Sequence, residues 1–343
     1  MKAVLYEDFR DKIELDTPLT SNADIMKLRT ELGIPQYVAA EDYLMRRLVV
    51  TVWAARNVNL ICEQLSGDAK KRVPRSPVDV AFFGGAAFRL LCKGSNQSGA
   101  FHRALNDLDI ITAKERATDL INLMSVLGQV FGTEYFHFVT TADRLFNNAM
   151  RPKRYRIHAV NGLHDGIPAA GEMDIFCDRI AMCHTVDVGK ELKNAPTNLY
   201  TIGLEKLLLT KLQFIKKIPK EVIDPSNEYR IIGDFDGKNV LVGMEDKDFR
   251  DVASVFHDYD LGEDDGEIRI NELYDILKKD LNMCKTVHLN LLGILKNTHR
   301  LNLPREHASI IEDKIRKLIK ELPEAREGFL GAFKKQWWAT VEG

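Results

Sequence analysis

Apolar residues recur at helical spacing over residues 38–66, where Tyr43, Leu44, Leu48, Trp53, Leu60 and Ile61 are the expected buried positions and no proline or glycine intervenes before Gly67. The segment from Ser66 to Pro77, with its charge run and two prolines, reads as a connection. Val78, Val80 and Phe82 then alternate as in a short strand, Gly84-Gly85 turns the chain, and Ala86, Ala87, Leu90 and Leu91 return to the helical period. A turn-rich loop from Lys93 to Gly99 leads to a second apolar strand, Asp107-Leu108-Asp109-Ile110-Ile111. Thr112-Ala113-Lys114-Glu115 has the form of a capping box, so a helix is predicted directly after that strand, burying Leu120, Ile121, Leu123, Met124 and Leu127. Tyr155 to Val160 and Met173 to Phe176, separated by a loop with three glycines, predict two adjacent antiparallel strands. From Thr201 the pattern is helical again, interrupted by a hairpin in which Tyr229 to Ile232 and Val240 to Val242 flank the turn-like Asp236-Gly237. Near the end, Ile310, Ile311, Ile315, Leu318 and Ile319 mark an amphipathic helix, and Trp337-Trp338 is expected to pack or to mediate association. The pattern predicts an α/β (α+β) chain in three parts: a mainly helical region over 1–75, a unit with a mixed β-sheet over 76–195, and a mainly helical domain over 196–343 that carries the hairpin near 229–242.

Composition narrows the class without naming an activity. The 343 residues are 45% hydrophobic with a formal net charge of -2, which suits a globular chain of two or three units and excludes a disordered one. No apolar run approaches the roughly 18 residues of a membrane span, and the start lacks the apolar core of a signal peptide, so a cytoplasmic protein with no membrane partner is expected. The five cysteines include no C-x-x-C pair, which indicates neither a zinc ribbon nor a disulfide framework. Near-neutral charge argues against a strong global field for nucleic acid, and since a net charge does not reveal a local basic patch, RNA binding is left open.

Candidate chemistry centres on carboxylates. Asp107 and Asp109 occupy alternate positions of one strand, so they face one site while Leu108 and Ile110 enter the core. Two like charges that close call for a cation between them, and magnesium or manganese held by carboxylate oxygens is the usual solution. Asp174, between Met173 and Ile175, offers a third carboxylate from another apolar strand. Gly84-Gly85 at a helix start could bring backbone N–H groups to a phosphate. On a helix turning about 100° per residue, Lys211 falls inside the stripe of Leu204, Leu207, Leu208, Leu212 and Ile215, so it must snorkel, pair with Asp248 or meet an anion. Asp248 flanks the face formed by Phe249, Val252, Ala253 and Phe256, whereas Asp251 lies nearly opposite and is expected in solvent. Arg103, just before the aspartate strand, could neutralise phosphate or sit on the surface. The acidic run Glu263 to Glu272 approaches the spacing of a calcium-binding EF-hand loop, but Leu261 would stand at its first ligand position, so an acidic turn with a helix cap is favoured. The nine histidines include no H-E-x-x-H pairing.

The glycine pair, the Asp-x-Asp strand and the third acidic strand together resemble the DNA-polymerase-β-like nucleotidyltransferase superfamily. Within it the chain is most similar to the AbiEii-type branch, through Gly84-Gly85, Arg103 to Asp109, Gly171 to Ile175, Leu204 to Gln213 and Glu245 to Val252, in order over roughly residues 76–262. The small hydroxyl residue common after the glycines is replaced by Ala86 and Ala87, and the interval from Gly85 to Asp107 is long. The resemblance implies a nucleotidyltransferase palm flanked by helical regions, transferring an NMP from a nucleoside triphosphate to an acceptor hydroxyl with loss of pyrophosphate. It implies Asp107, Asp109 and Asp174 as magnesium or manganese ligands, Gly84 and Gly85 at the phosphates, and Lys211, Arg103 and Asp248 in nucleotide binding. An RNA 3′ end, a protein hydroxyl and a small molecule are all open as acceptors, and a cognate antitoxin is a family-level partner. The rival expectations are a catalytically silent nucleotide-binding or regulatory protein on the same fold and a calcium-responsive interaction module.

Overall fold

The computed structural model describes residues 51–52, 54–96, 101–103, 105, 107–131, 137–139, 148–150, 153–164, 167–189, 192, 201–323 and 336–340. The expected buried positions Tyr43, Leu44, Leu48 and Trp53 lie outside these residues. The chain divides into two compact units made of alternating segments: one takes Met1–Leu91, Ala104–Ile180 and Asp187–Ile202, the other Cys92–Arg103, Ala181–Val186 and Gly203–Gly343. Both helices and sheets contribute, so the molecule is a mixed α/β protein of the α+β kind.

Among the described residues of the first unit, helical turns that include α1 (Val58–Glu63) and α2 (Gly67–Lys71) come first. The α2 turn falls in a stretch expected to be irregular, and Leu60, expected inside, is 41% exposed while Ile61 is buried. β1 (Val80–Phe83) is buried at every position, as a strand covered on both faces must be. α3 (Gly84–Leu91) follows it directly. The turn-rich stretch after Leu91 contains a helical turn, α4 (Lys93–Asn96), which belongs to the second unit. β2 (Asp107–Thr112) leads through a 3-10 turn at Lys114–Arg116 into α5 (Ala117–Phe131). The capping box does not form: Thr112 is the last residue of β2, paired with Val80 and with its hydroxyl donating to the Asp79 carbonyl at 2.7 Å, and the 3-10 turn starts from Ala113 without a side-chain cap. β3 (His137–Val139), β4 (Arg154–His164) and β5 (Ile167–Cys177) complete the order β1-β2-β5-β4-β3, and β6 (Arg179–Ala181) turns back on β5 through Asp178, whose φ is 60°. β2 runs parallel to β5, and the other pairs along this path are antiparallel. The expected antiparallel pair is therefore present. Its strands are longer than the sequence suggested, because Gly162 and Gly171 lie within β4 and β5 rather than in a loop.

β7 (Thr185–Asp187) precedes the long C-terminal stretch of the second unit. There α6 (Leu204–Leu212) is buried along nearly its whole length, including Glu205, Thr210 and Lys211, and Ile215 lies beyond its end. A three-stranded sheet in the order β8 (Lys216–Pro219), β10 (Asn239–Val242), β9 (Ile231–Asp234) contains the expected hairpin plus a strand the pattern did not reveal. The rest is mainly helical, with α7 (Asp246–Asp258), α8 (Ile270–Lys279), α9 (Leu281–Asn297) and α10 (Arg305–Glu321), and a short parallel pairing of Leu261–Gly262 with Ile268–Arg269 lies between α7 and α8. α10 buries Ile311, Ile315 and Leu318 but leaves Ile310 exposed. Trp338 joins a buried cluster with Cys183, Ile215, Leu241 and Leu289, against which Trp337 and Phe235 pack. Full burial of an aliphatic or aromatic side chain contributes about 1.5–3 kcal/mol, so this cluster ties the C-terminal residues to the sheet. Asn290 fastens the same region by hydrogen bonds: its amide donates to the carbonyls of Leu212 at 2.9 Å and Phe214 at 2.8 Å, and its oxygen accepts from the Met244 N–H at 3.2 Å.

Candidate functional site

In the first unit, strand register decides which charges meet. Asp109 stands opposite Asp174 on the parallel neighbour β5, and Asp174 in turn stands opposite Arg156 on β4. Neighbouring positions on adjacent strands share a face at about 4.5–5.5 Å between Cβ atoms, so the row Asp109, Asp174, Arg156 is one surface. Two carboxylates side by side repel, and Asp174 is 4% exposed, so its charge needs a partner. It has two: Arg156 donates from Nε to Oδ1 at 3.0 Å and from Nη2 to Oδ2 at 3.2 Å, and Arg154 donates to Oδ2 as well. Arg154 also lies over the Phe176 ring, 4.7 Å from its centroid.

Gly84 completes this corner. Its φ is +63°, and a Cβ built on it would come within 2.1 Å of Asp109 Oδ2. Glycine is required here twice over, for its backbone conformation and for the carboxylate pressed against its Cα. Gly85 follows inside α3, and both glycines are buried. Asp107 occupies β2 two positions before Asp109, and its side chain lies outside the described residues. Among the described residues, no three His, Cys, Asp or Glu side chains come together as a metal site. Asp109 and Asp174 nevertheless fit a divalent cation as a pair. A carboxylate offers about four lone-pair positions, and the arginine contacts leave capacity on Asp174 Oδ1.

In the second unit the expected nucleotide-binding residues meet each other. Lys211 Nζ lies 2.6 Å from Asp248 Oδ1 and 3.6 Å from Asp251 Oδ2. Arg103 donates to both oxygens of Asp251, from Nε at 2.9 Å and from Nη2 at 2.7 Å. Two cations and two carboxylates thus balance in a largely buried group. Burial alone would lower the Lys211 ammonium and raise the Asp248 carboxyl, but each offsets the other's cost, so Lys211 is held above the ordinary lysine value and Asp248 below the ordinary carboxylate value. Asp251, expected in solvent, is 1% exposed. Helix α7 packs against α4, α6 and α10, so it has no fully solvated face for Asp251 to occupy.

Arg154 and Arg156 were not singled out from the sequence. Their alternation with Tyr155 and Ile157 places them on one face of β4, a signal that gains meaning only once the register with β5 is known. The acidic run forms a turn: Glu263 accepts from the Asn271 N–H at the start of α8 at 2.9 Å, and Glu267 accepts from the Asp264 N–H at 3.1 Å. These side chains cap backbone N–H groups, as the acidic-turn expectation required. Set beside family models, curated proteins and solved structures, the chain matches none of them.

Proposed function

We propose that the chain is a metal-dependent nucleotidyltransferase, moving an NMP from a nucleoside triphosphate to an acceptor hydroxyl with release of pyrophosphate, on a palm formed by the β1-β2-β5-β4-β3 sheet. The observation that carries this reading is the register that sets Asp109 beside Asp174, with Gly84 against the Asp109 carboxylate. Asp107, Asp109 and Asp174 would hold magnesium or manganese. Bound there, the metal would supply Lewis-acid stabilisation of the phosphate charge. The acceptor oxygen attacks the α-phosphorus in line as the bond to pyrophosphate breaks, and Asp174 Oδ1 takes up the hydroxyl proton. Arg154 and Arg156 fix the orientation of that carboxylate. Gly84 and Gly85 lie where the phosphates would approach the start of α3. Lys211, Arg103 and Asp248 neutralise one another together with Asp251, so their part in nucleotide binding rests on the resemblance alone.

A second reading, a nucleotide-binding protein without transfer, is favoured by the two guanidinium groups on Asp174, which compete with a cation for its oxygens. The deciding experiment offers α-labelled ATP, CTP, GTP and UTP to cellular RNA, to protein and to small-molecule fractions with magnesium or manganese, comparing the native chain with Asp109→Asn. Label in one fraction that disappears in the variant supports transfer and names the acceptor class. Metal-dependent triphosphate binding without label supports the silent reading, and absence of both binding and label rejects the two together.

A further inference from the structure

Two imidazoles in the second unit face each other across helices α7 and α10. His257 Nε2 and His307 Nδ1 are 2.6 Å apart, and the ring planes differ by 13°. The outer nitrogen of each ring faces a carboxylate: His257 Nδ1 is 2.6 Å from Asp258 Oδ1, and His307 Nε2 is 3.6 Å from Glu306 Oε1. Asp258 is itself fixed, because its other oxygen accepts from the Gly94 N–H at 3.2 Å. The Phe101 ring packs at 5.4 Å from His257 and restricts its rotation.

We propose that His257 Nε2 and His307 Nδ1 form a binding site for a transition-metal ion of the zinc class, which clips α7 to α10. The two rings are hydrogen-bonded to each other, and His257 is oriented by the Asp258 carboxylate behind it, the arrangement that fixes the tautomer of metal-bound histidine. Asp258 accepts the Nδ1 proton of His257 and leaves Nε2 with its lone pair. His307 binds through Nδ1 when its proton moves to Nε2, which faces solvent and the Glu306 carboxylate 3.6 Å away, so the tautomer changes and no proton is lost from the pair. Zinc–nitrogen bonds of about 2.0–2.1 Å at a tetrahedral angle need nitrogens about 3.3 Å apart, so the rings must part slightly. His307 can yield: it lies in the first turn of α10 with its side chain 40% exposed. Among the described residues no third His, Cys, Asp or Glu converges on the pair, which leaves the remaining positions to water. The site is therefore open and exchangeable. It is independent of the transferase reading, whose cation would lie on carboxylates of the other unit.

The test is calorimetric titration of the chelator-treated full chain with zinc chloride, with cobalt chloride followed by visible absorption. With magnesium in excess to occupy the carboxylates of the other unit, the expected result is one zinc or cobalt ion per chain, bound by nitrogen. Uptake is lost in His307→Ala and in His307→Gln, both of which keep the far-UV spectrum of the native chain because the residue is exposed. Asp258→Asn weakens uptake by about 10–100-fold. Zinc raises the Tm of the native chain and not of the His307 variants. No uptake by the native chain, or uptake unchanged in both His307 variants, overturns the proposal.

Discussion

At the scale of single residues, Gly84 carries the sharpest expectation. An alanine there would adopt a left-handed conformation costing about 1–2 kcal/mol, and its methyl group would meet the Asp109 carboxylate. Gly84→Ala is expected to lower the midpoint of chemical denaturation and to impair any metal binding at Asp109. A variant as stable and as competent as the native chain would show that the carboxylate is free to turn away. The Lys211, Asp248, Asp251 and Arg103 group gives a second expectation. Removing one partner leaves a buried charge uncompensated, which costs about 3–5 kcal/mol, so Asp251→Asn should be strongly destabilising. The pH dependence follows from the shifts. Asp248 is depressed, so its contribution is present above the ordinary aspartate value and lost as pH falls through the lower folded value. Lys211 is raised, so its contribution is complete below the ordinary lysine value and lost only as pH rises beyond it. The pair's contribution, measured as the stability difference between the native chain and Lys211→Met, should be flat across neutral pH and shrink at both extremes. A difference that changes between pH 6 and 8 would contradict the assignment.

At the scale of elements, Asn290 on α9 links the end of α6 to Met244, two residues beyond β10. Asn290→Leu would leave the carbonyls of Leu212, Phe214 and Thr286 and one N–H without that partner, a loss of about 1–3 kcal/mol for each group left unsatisfied. Denaturant unfolding should show a loss of several kcal/mol, and a loss below about 1 kcal/mol would mean that water replaces the amide. Elements with strong periodicity or turn chemistry were legible in the sequence: β1, β2, the paired β4 and β5, the hairpin around Gly237 and α10. What escaped was set by tertiary partners. The capping box failed because Thr112 is held in β2 opposite Val80, which leaves Ala113 at the cap position. Asp251 was read as solvated because a helical wheel shows one buried face, whereas α7 is packed on several sides. The candidate carboxylates were visible as Asp-x-Asp and a lone strand aspartate. The arginines on Asp174 were hidden, since pairing across strands depends on a register that no local pattern records.

At the scale of the molecule, among the described residues no helix is long and apolar enough to cross a membrane. Each unit is built from three alternating chain segments, so neither can be cut out as one continuous piece. A fragment starting at Gly203 lacks Arg103, the partner of Asp251, and Cys183, a member of the cluster around Trp338. It should fail to show a single cooperative thermal transition, and sharp two-state melting of that fragment would show that the earlier segments are dispensable. The same arrangement sets a timetable for synthesis. Arg103 leaves the ribosome 148 residues ahead of Asp251, so the nascent chain carries an arginine made early for an aspartate made late. A stalled chain ending at Val240 should be cut by trypsin after Arg103 where the finished protein resists, which would make the closing of the second unit one of the last events in the protein's birth.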